Sequence, residues 1–191
     1  MIYYGRQDIN QDDIEAVRAV LTSDFLTQGP AIERLEKTVA SYCGAKYAVA
    51  VCNATAALHI ACRAAGLKQG DVLWTAPNTF VASANCGLYC GSDVDFVDID
   101  AQTYNMSTQE LEKKFASSAK KPKVLVPVHF SGQPCDMEQI HHLAKEHDIA
   151  IVEDASHAIG AEYKGERIGS CKYSDMTVFS FHPVKIITTG E

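Results

Sequence analysis

Several features that mark membrane, secreted or nucleic-acid-binding proteins are missing from this sequence of 191 residues. No apolar run approaches the length that crosses a bilayer, and the first residues lack the apolar core of a signal peptide. We therefore expect neither a membrane partner nor export. No long basic block occurs, and the formal net charge is −7. That charge balance argues against nucleic acid or an anionic membrane surface as a partner.

Paired cysteine motifs are also missing, although cysteines are present. The seven cysteines are odd in number and include no Cys-x-x-Cys pair. In a chain without an export signal they indicate reduced thiols and a cytoplasmic location. Cys86 and Cys90 are one helical turn apart, but no histidine lies nearby in sequence. We interpret them as core residues and predict no metal site.

Strand and helix patterns alternate along the chain, with no repeat, low-complexity stretch or convincing linker. Short apolar runs rich in β-branched residues predict strands at residues 47–52, 71–76, 94–99, 123–130, 149–153 and 176–181. Helices are predicted to start at residues 10–13 and to span 30–42, 55–65, 79–89, 107–115 and 137–146, with a hairpin at 163–167. This alternation predicts one α/β domain with three α-β-α layers, in which helices cover both faces of a mostly parallel sheet.

Polar residues cluster where the predicted strands end. In open parallel sheets, ligands bind beyond the carboxyl ends of the strands. Solvated loops alone do not readily explain such a concentration, so we expect a ligand site at this edge. The residues at these ends are Asn53, Ala54, Thr55, Asn78, Thr79, Phe80, His129, Asp154, His157, Ser180, His182 and Lys185.

Lys185 and Asp154 follow the last two strands of the predicted sheet. A lysine at a sheet edge can be partly desolvated, and the lowered pKa of its amine would allow a Schiff base with an aldehyde. A partly desolvated Asp154 needs a cationic partner, and a protonated pyridine nitrogen would serve. Both residues also have simpler interpretations: Lys185 could be an ordinary surface lysine, and Asp154 could cap a helix.

The remaining candidate residues complete a possible cofactor site. Residues 52–57 run from a strand into a helix N-terminus, where small side chains leave backbone N–H groups open to a phosphate, although Thr55 could simply cap the helix. Ser180 could add a hydroxyl to the phosphate. His157 could contact a cofactor ring and Phe80 could cover one ring face, but both types are also common as structural residues. Together these groups match pyridoxal phosphate (PLP). A nicotinamide-binding Rossmann domain does not fit, because no Gly-x-Gly-x-x-Gly follows a predicted strand.

With these residues in place, the sequence resembles the DegT/DnrJ/EryC1/StrS family of sugar aminotransferases, which are PLP enzymes of fold type I. The most specific strings are Glu-Asp-Ala-Ser-His-Ala-Ile-Gly at 153–160 and Ser-Phe-His-Pro-Val-Lys at 180–185. Others lie at residues 4–8, 23–30, 53–59, 77–85 and 127–136. The resemblance covers essentially all of residues 1–191. It implies the N-terminal part of a PLP-binding large domain, incomplete at its C-terminus, with the C-terminal small domain absent.

The resemblance also implies a role for each matched residue. Lys185 is implied to be the catalytic residue, which forms the Schiff base with PLP and then moves protons. Asp154 is implied to pair with the pyridine nitrogen, His157 to lie near the ring hydroxyl, and Phe80 to stack on the ring. The phosphate is implied to be held by Ala54, Thr55 and Ser180. Substrate contacts are implied for Tyr4, Asp24, Phe25, Leu26, Thr27, Ala54 and Ser180.

Within the family, the sequence most resembles enzymes that transaminate a UDP-linked 4-keto-6-deoxy sugar in pseudaminic acid biosynthesis. This implies L-glutamate as the amino donor and a homodimer for the full-length protein. Related dehydratases carry histidine in place of Lys185, so a lysine favours aminotransfer. Two alternatives stay open: a family member with another keto-sugar or a dehydration, and a non-catalytic remnant that only binds PLP or full-length subunits.

Family members continue beyond Glu191 with an antiparallel strand that lies between the first strand and the lysine-bearing strand. Without that strand we expect unpaired backbone groups in the sheet, and little or no transaminase activity from the 191-residue chain alone.

Overall fold

The computed structural model describes residues 6–190. Its α-helices are α1 (Gln11–Leu21), α2 (Pro30–Cys43), α3 (Ala54–Ala64), α4 (Ala82–Tyr89), α5 (Thr108–Ser117) and α6 (Met137–Glu146), with a 3₁₀ turn at Phe130–Gly132. Its strands are β1 (Val72–Thr75), β2 (Asp93–Phe96), β3 (Val124–Val126), β4 (Ala150–Asp154), β5 (Glu162–Tyr163), β6 (Glu166–Arg167) and β7 (Met176–Val178). None of these helices combines the length and apolar composition needed to cross a bilayer.

Five of the described strands form one sheet in the order β2-β1-β3-β4-β7, and each neighbouring pair is parallel. Helices α4, α5 and α6 are the crossovers between successive strands. Strands β1 and β3 are buried at every residue, as a parallel sheet covered on both faces requires. Strands β5 and β6 pair as the predicted antiparallel hairpin. The predicted α/β architecture is confirmed.

Alternate residues of the central strands face two separate hydrophobic cores, because successive strand side chains point to opposite faces. Trp74 and Leu125 face one core, where α5 and α6 contribute Leu111 and Ile140. The other core contains Leu73, Val124, Val126, Val152 and Val178 of the strands, with Leu58 of α3 and Cys86 of α4. Cys86 and Cys90 are both buried, which confirms their interpretation as core residues.

The helix starts follow the capping signals in the sequence. The side chain of Asn10 accepts from the N–H groups of Asp12 and Asp13, and the Asp13 carboxylate accepts from the Asn10 N–H. Ser107 accepts from the N–H of Glu110 at 3.2 Å. Each cap satisfies backbone donors that the first helical turn leaves free. Helix α1 nevertheless has no buried residue, and its apolar side chains Ile14, Val17 and Leu21 are exposed in this structure.

Several elements are shorter than predicted. Strand β3 ends before Pro127, which has no N–H to donate to a ladder. Strand β7 ends at Val178, which pairs with Asp154, the last residue of β4. Because the partner strand stops there, Ser180 and Lys185 lie in the loop that follows the sheet. Helix α4 begins at Ala82 rather than at Thr79.

The prediction of a strand at residues 47–52 is wrong for this structure. Tyr47 and Val49 are 75% and 79% exposed, and none of the strands described includes this segment. The Ala50 N–H donates to the Glu36 carboxylate at 2.9 Å instead of to a neighbouring strand. A strand needs a second backbone to complete its hydrogen bonds. No strand within residues 6–190 pairs with this segment or with the outer edge of β7.

Candidate active site

Four of the predicted site residues lie at the carboxyl edge of β4 and β7. Asp154 is the last residue of β4 and is buried, and Ser180, two residues beyond β7, is also buried. His157 lies in the turn after β4. Lys185 is half-buried in a turn whose backbone N–H donates to the His182 carbonyl at 2.9 Å. The register of β4 and β7 therefore brings two distant motifs to one edge of the sheet.

The Lys185 amine contacts the His157 imidazole directly. The Lys185 Nζ and His157 Nε2 atoms are 2.8 Å apart. Partial burial lowers the pKa of Lys185, and the negative charge of Asp154 only partly opposes that effect. Burial and the charge of Lys185 likewise lower the pKa of His157. The Lys185 amine therefore loses its proton more readily than the amine of an ordinary surface lysine. A proton can pass between the Lys185 and His157 nitrogens.

Asp154 is a buried carboxylate whose hydrogen-bond donors are all neutral. Its Oδ2 accepts from the Ser83 hydroxyl at 2.5 Å, and its Oδ1 accepts from the N–H and hydroxyl of Ser156 at 3.1 and 2.6 Å. The ion pairs formed by the described residues do not include Asp154. A buried carboxylate without a cationic partner suits a pyridinium N–H. The helix-cap interpretation of Asp154 is wrong, because a turn follows β4.

The start of α3 presents two backbone donors that have no acceptor among the described residues. The helix cap is Asn53, whose side chain accepts from the Ala56 N–H at 2.9 Å and whose carbonyl accepts from the Ala57 N–H at 3.0 Å. The N–H groups of Ala54 and Thr55 are left free for an anion at the positive end of the helix. Thr55 is therefore not the cap.

The Ser180 hydroxyl makes a hydrogen bond at this edge of the sheet, whereas the Phe80 ring is exposed. The Ser180 hydroxyl accepts a long hydrogen bond of 3.5 Å from the His182 N–H. Helix α3 and strand β7 are neighbours in one core, through Leu58 and Val178. Phe80 is 73% exposed in the turn before α4. Its ring is therefore free to cover a ligand.

The predicted substrate residues of the loop between α1 and α2 are not joined to this cluster, whereas Ser180, which is also predicted to contact substrate, is part of it. Asp24, Phe25, Leu26 and Thr27 lie in the exposed loop between α1 and α2. No hydrogen bond of the described residues links this loop to Lys185 or Asp154. Tyr4 lies outside the described residues.

A second buried polar pair lies next to Asp154, and the sequence motifs do not predict it. The Nε2 of His129 is 2.7 Å from Oε2 of Glu153. The Cys135 N–H donates to His129 Nδ1 at 3.1 Å, so the ring proton lies on Nε2 and faces Glu153. The hydroxyls of Ser174 and Thr177 donate to the other Glu153 oxygen.

Burial alone would raise the pKa of Glu153, but its donors, above all His129, lower it below the usual value. The sequence signal for this pair is Glu153, an ionisable residue inside an otherwise apolar buried strand. Glu153 is adjacent to Asp154 in sequence, but its side chain points to the other face of the sheet.

A parallel α/β sheet that presents a lysine, a buried carboxylate and free helix N–H groups at one edge is typical of a PLP-dependent enzyme. The model of the DegT/DnrJ/EryC1/StrS aminotransferase family matches residues 7–191, and the chain belongs to this family.

Two curated relatives are named for transamination of a nucleotide-linked sugar and for polysaccharide biosynthesis. The chain is 41% identical over 191 residues to UDP-4-amino-4,6-dideoxy-N-acetyl-beta-L-altrosamine transaminase of Campylobacter jejuni serotype O:23/36. That alignment covers 100% of this chain and 50% of that protein. It is 42% identical over 188 residues to spore coat polysaccharide biosynthesis protein SpsC of Bacillus subtilis, with 98% and 47% coverage. The chain spans about half the length of the curated relatives it matches.

Solved structures agree with this assignment. The putative sugar aminotransferase Spr1654 of Streptococcus pneumoniae in its PLP form superposes with a TM-score of 0.92 at 32% identity, over 100% of this chain and 51% of that one. Helicobacter pylori PseC, an aminotransferase involved in the biosynthesis of pseudoaminic acid, gives 0.91 at 32% identity, over 99% and 50%. The predicted family, fold type I and PLP as cofactor are confirmed.

Proposed function

We propose that this chain forms part of a sugar aminotransferase that transfers an amino group from L-glutamate to a nucleotide-linked 4-keto-6-deoxy sugar. The proposed substrate is UDP-linked and belongs to pseudaminic acid biosynthesis. The observation that carries the proposal is the Lys185–His157 contact of 2.8 Å beside the buried Asp154 carboxylate. The names of the Campylobacter jejuni and Helicobacter pylori proteins support the choice of sugar.

The residues of this chain divide the work in the proposed reaction. PLP supplies an electron sink when it is bound. The Lys185 amine would hold the cofactor and would move a proton, for which His157 Nε2, 2.8 Å away, offers an acceptor. Asp154 would accept from the pyridine N–H. Phe80 would cover the ring.

The phosphate and the sugar are assigned to other residues. The free N–H groups of Ala54 and Thr55, together with the Ser180 hydroxyl, bind the phosphate. The sugar contacts are assigned to Tyr4, Asp24, Phe25, Leu26, Thr27, Ala54 and Ser180.

We also propose that residues 1–191 are the N-terminal part of the PLP-binding large domain of a cytoplasmic homodimer. The half-length coverage of relatives supports this placement. The cysteines are all free thiols, five of them buried, which suits a reducing compartment. Because β7 has an unpaired edge among the described residues, we propose that this chain alone has little or no turnover.

Reduction with borohydride tests the role of Lys185. The chain is incubated with PLP, reduced, digested and mapped by mass spectrometry. We expect PLP on Lys185, with the trapped adduct and the visible absorbance lost in Lys185→Ala. Lys68→Ala is the matched control, because Lys68 is exposed and should leave both signals unchanged. PLP trapped mainly on another lysine, or not at all, would contradict the proposed role.

A second candidate function is transamination of another nucleotide-linked keto-sugar. It is favoured by 40% identity over 186 residues to GDP-perosamine synthase of Caulobacter vibrioides, covering 97% of this chain and 48% of that protein. Amino transfer from glutamate to UDP-linked and GDP-linked 4-keto sugars, measured with the aminotransferase of which this chain is proposed to form part, distinguishes the two candidates. A product only with the GDP sugar would reject the UDP assignment. Dehydration without consumption of glutamate would reject both.

A further inference from the structure

A chain of three polar side chains reaches from the turn before α4 to Asp154. Ser83, in the first turn of α4, is fully buried, and its Oγ is 2.5 Å from Oδ2 of Asp154, 71 residues away in sequence. The Thr79 Oγ1 is 2.7 Å from the same Ser83 Oγ. Neither hydroxyl belongs to the set of residues assigned above to PLP.

The chemistry of these groups sets the direction of both hydrogen bonds. An ionised carboxylate only accepts hydrogen bonds, so the single Ser83 hydroxyl proton is donated to Asp154. With that proton committed, the Thr79 hydroxyl donates to Ser83. Thr79 therefore orients Ser83, and Ser83 in turn holds one oxygen of Asp154.

Asp154 is fixed from two sides by this arrangement. Ser156 holds Oδ1 from within the turn after β4, and Ser83 holds Oδ2 from α4 across the sheet face. The neighbours of Ser83 in α4, Ala82 and Cys86, belong to the apolar core on this face. Among the described residues, Ser83 is thus the polar group that α4 offers to the carboxylate.

We propose that Ser83 is a positioning residue for the cofactor site, whose hydroxyl, oriented by Thr79, fixes the Asp154 carboxylate toward the pyridine nitrogen of PLP. This inference rests on the proposed function, because it requires PLP beside Asp154. Thr79 is also adjacent to Phe80, the residue assigned to the ring face. One short segment, residues 79–83, therefore supports contacts to both the face and the nitrogen of the ring.

Three variants of the full chain test the role of Ser83. Ser83→Ala removes the donor, and Ser83→Thr keeps a hydroxyl. Ser92→Ala is the matched control, because Ser92 is also buried, at 4% exposure, and donates to the Gly87 carbonyl at 2.9 Å, at the other end of α4. Absorbance titration gives the Kd for PLP, and the visible absorbance of bound PLP is followed against pH. Urea unfolding reports stability separately.

We expect Ser83→Ala to raise the Kd for PLP about 10-fold, the effect of losing one hydrogen bond to a charged group. The pH dependence of the bound cofactor's absorbance should shift with it, because the ring nitrogen loses an aligned carboxylate. Ser83→Thr should restore both properties. Ser92→Ala should lower stability but leave both cofactor properties unchanged.

The opposite results separate this inference from the proposed function. If wild-type protein fails to take up PLP on Lys185, both are overturned. If wild type binds PLP but Ser83→Ala matches Ser92→Ala in Kd and pH profile, only the role of Ser83 is overturned. Should Ser83→Ala not fold, Thr79→Val removes the orienting donor instead. A Kd and pH profile equal to wild type in Thr79→Val would then overturn it.

Discussion

The Glu153–His129 pair allows a specific prediction about stability. The two side chains are 5% and 0% exposed, and Glu153 accepts from three donors: His129 Nε2 at 2.7 Å, the Ser174 hydroxyl, and the Thr177 hydroxyl at 3.1 Å. Replacing Glu153 with alanine would leave all three donors without their acceptor. It would also leave a void on the sheet face beside His129 and Thr177. We therefore expect Glu153→Ala to be much more destabilising than an average substitution.

The structure sets the size of the effect. Each buried donor left without its acceptor typically costs about 1–3 kcal/mol. With three donors affected, we expect a loss of about 4 kcal/mol in the unfolding free energy for Glu153→Ala. Glu153→Gln keeps the volume and one acceptor oxygen, so we expect roughly 1–2 kcal/mol. The exposed pair of Glu33 and Lys37, 2.5 Å apart, provides a control: Glu33→Ala should change stability very little, because solvent screens this pair.

Urea unfolding followed by circular dichroism measures these differences at a fixed pH. The slope of the transition should be unchanged, so that the midpoint reports stability. A loss below about 1 kcal/mol for Glu153→Ala, close to that of Glu33→Ala, would show that the Glu153–His129 pair contributes little to the free energy of unfolding. Equal losses for Glu153→Ala and Glu153→Gln would refute the assignment of the effect to unsatisfied donors and lost volume.

Two further predictions use the same unfolding assay, and the second also uses the affinity for PLP. Because its donors lower the pKa of Glu153 below 4.5, its contribution should be complete above that pH and lost as the pH falls through the lowered value. Glu153→Gln should remove this part of the pH dependence, and an unchanged acid profile would contradict it. Gly132→Ala should cost about 1–3 kcal/mol and weaken PLP binding, since φ is +87° and a Cβ would lie 2.7 Å from the His157 carbonyl oxygen. Gly165→Ala, with φ +79° and nothing within 4 Å, isolates the strain, and equal PLP affinity in both variants would exclude a role for Gly132 in placing His157.

The main elements of the fold and the central site residues could be predicted because their signals are local. A buried apolar run followed by Asp154, and another followed by Lys185, place both residues at the carboxyl edge of a parallel sheet. The contact between His157 and Lys185 follows from that placement. The end of β7 at Val178 depends on where β4 ends, so it could not be read from the sequence of β7.

The features that the sequence did not predict depend on contacts between distant segments. Ser83 looks like any small residue in a helix, and its bond to Asp154 spans 71 positions. Glu153 was part of a motif, but its partner His129 lies on another strand end. The segment 47–52 has the composition of a strand, yet composition cannot supply the neighbouring backbone that a strand needs.

The open side of β7 has a consequence for handling the protein. Its residues, Met176, Thr177 and Val178, include neither charge nor proline, the features that commonly protect a sheet edge from pairing with another molecule. The same unsatisfied backbone that can receive a correct strand can template an incorrect one. Aggregation of this chain should therefore increase with its concentration and with time.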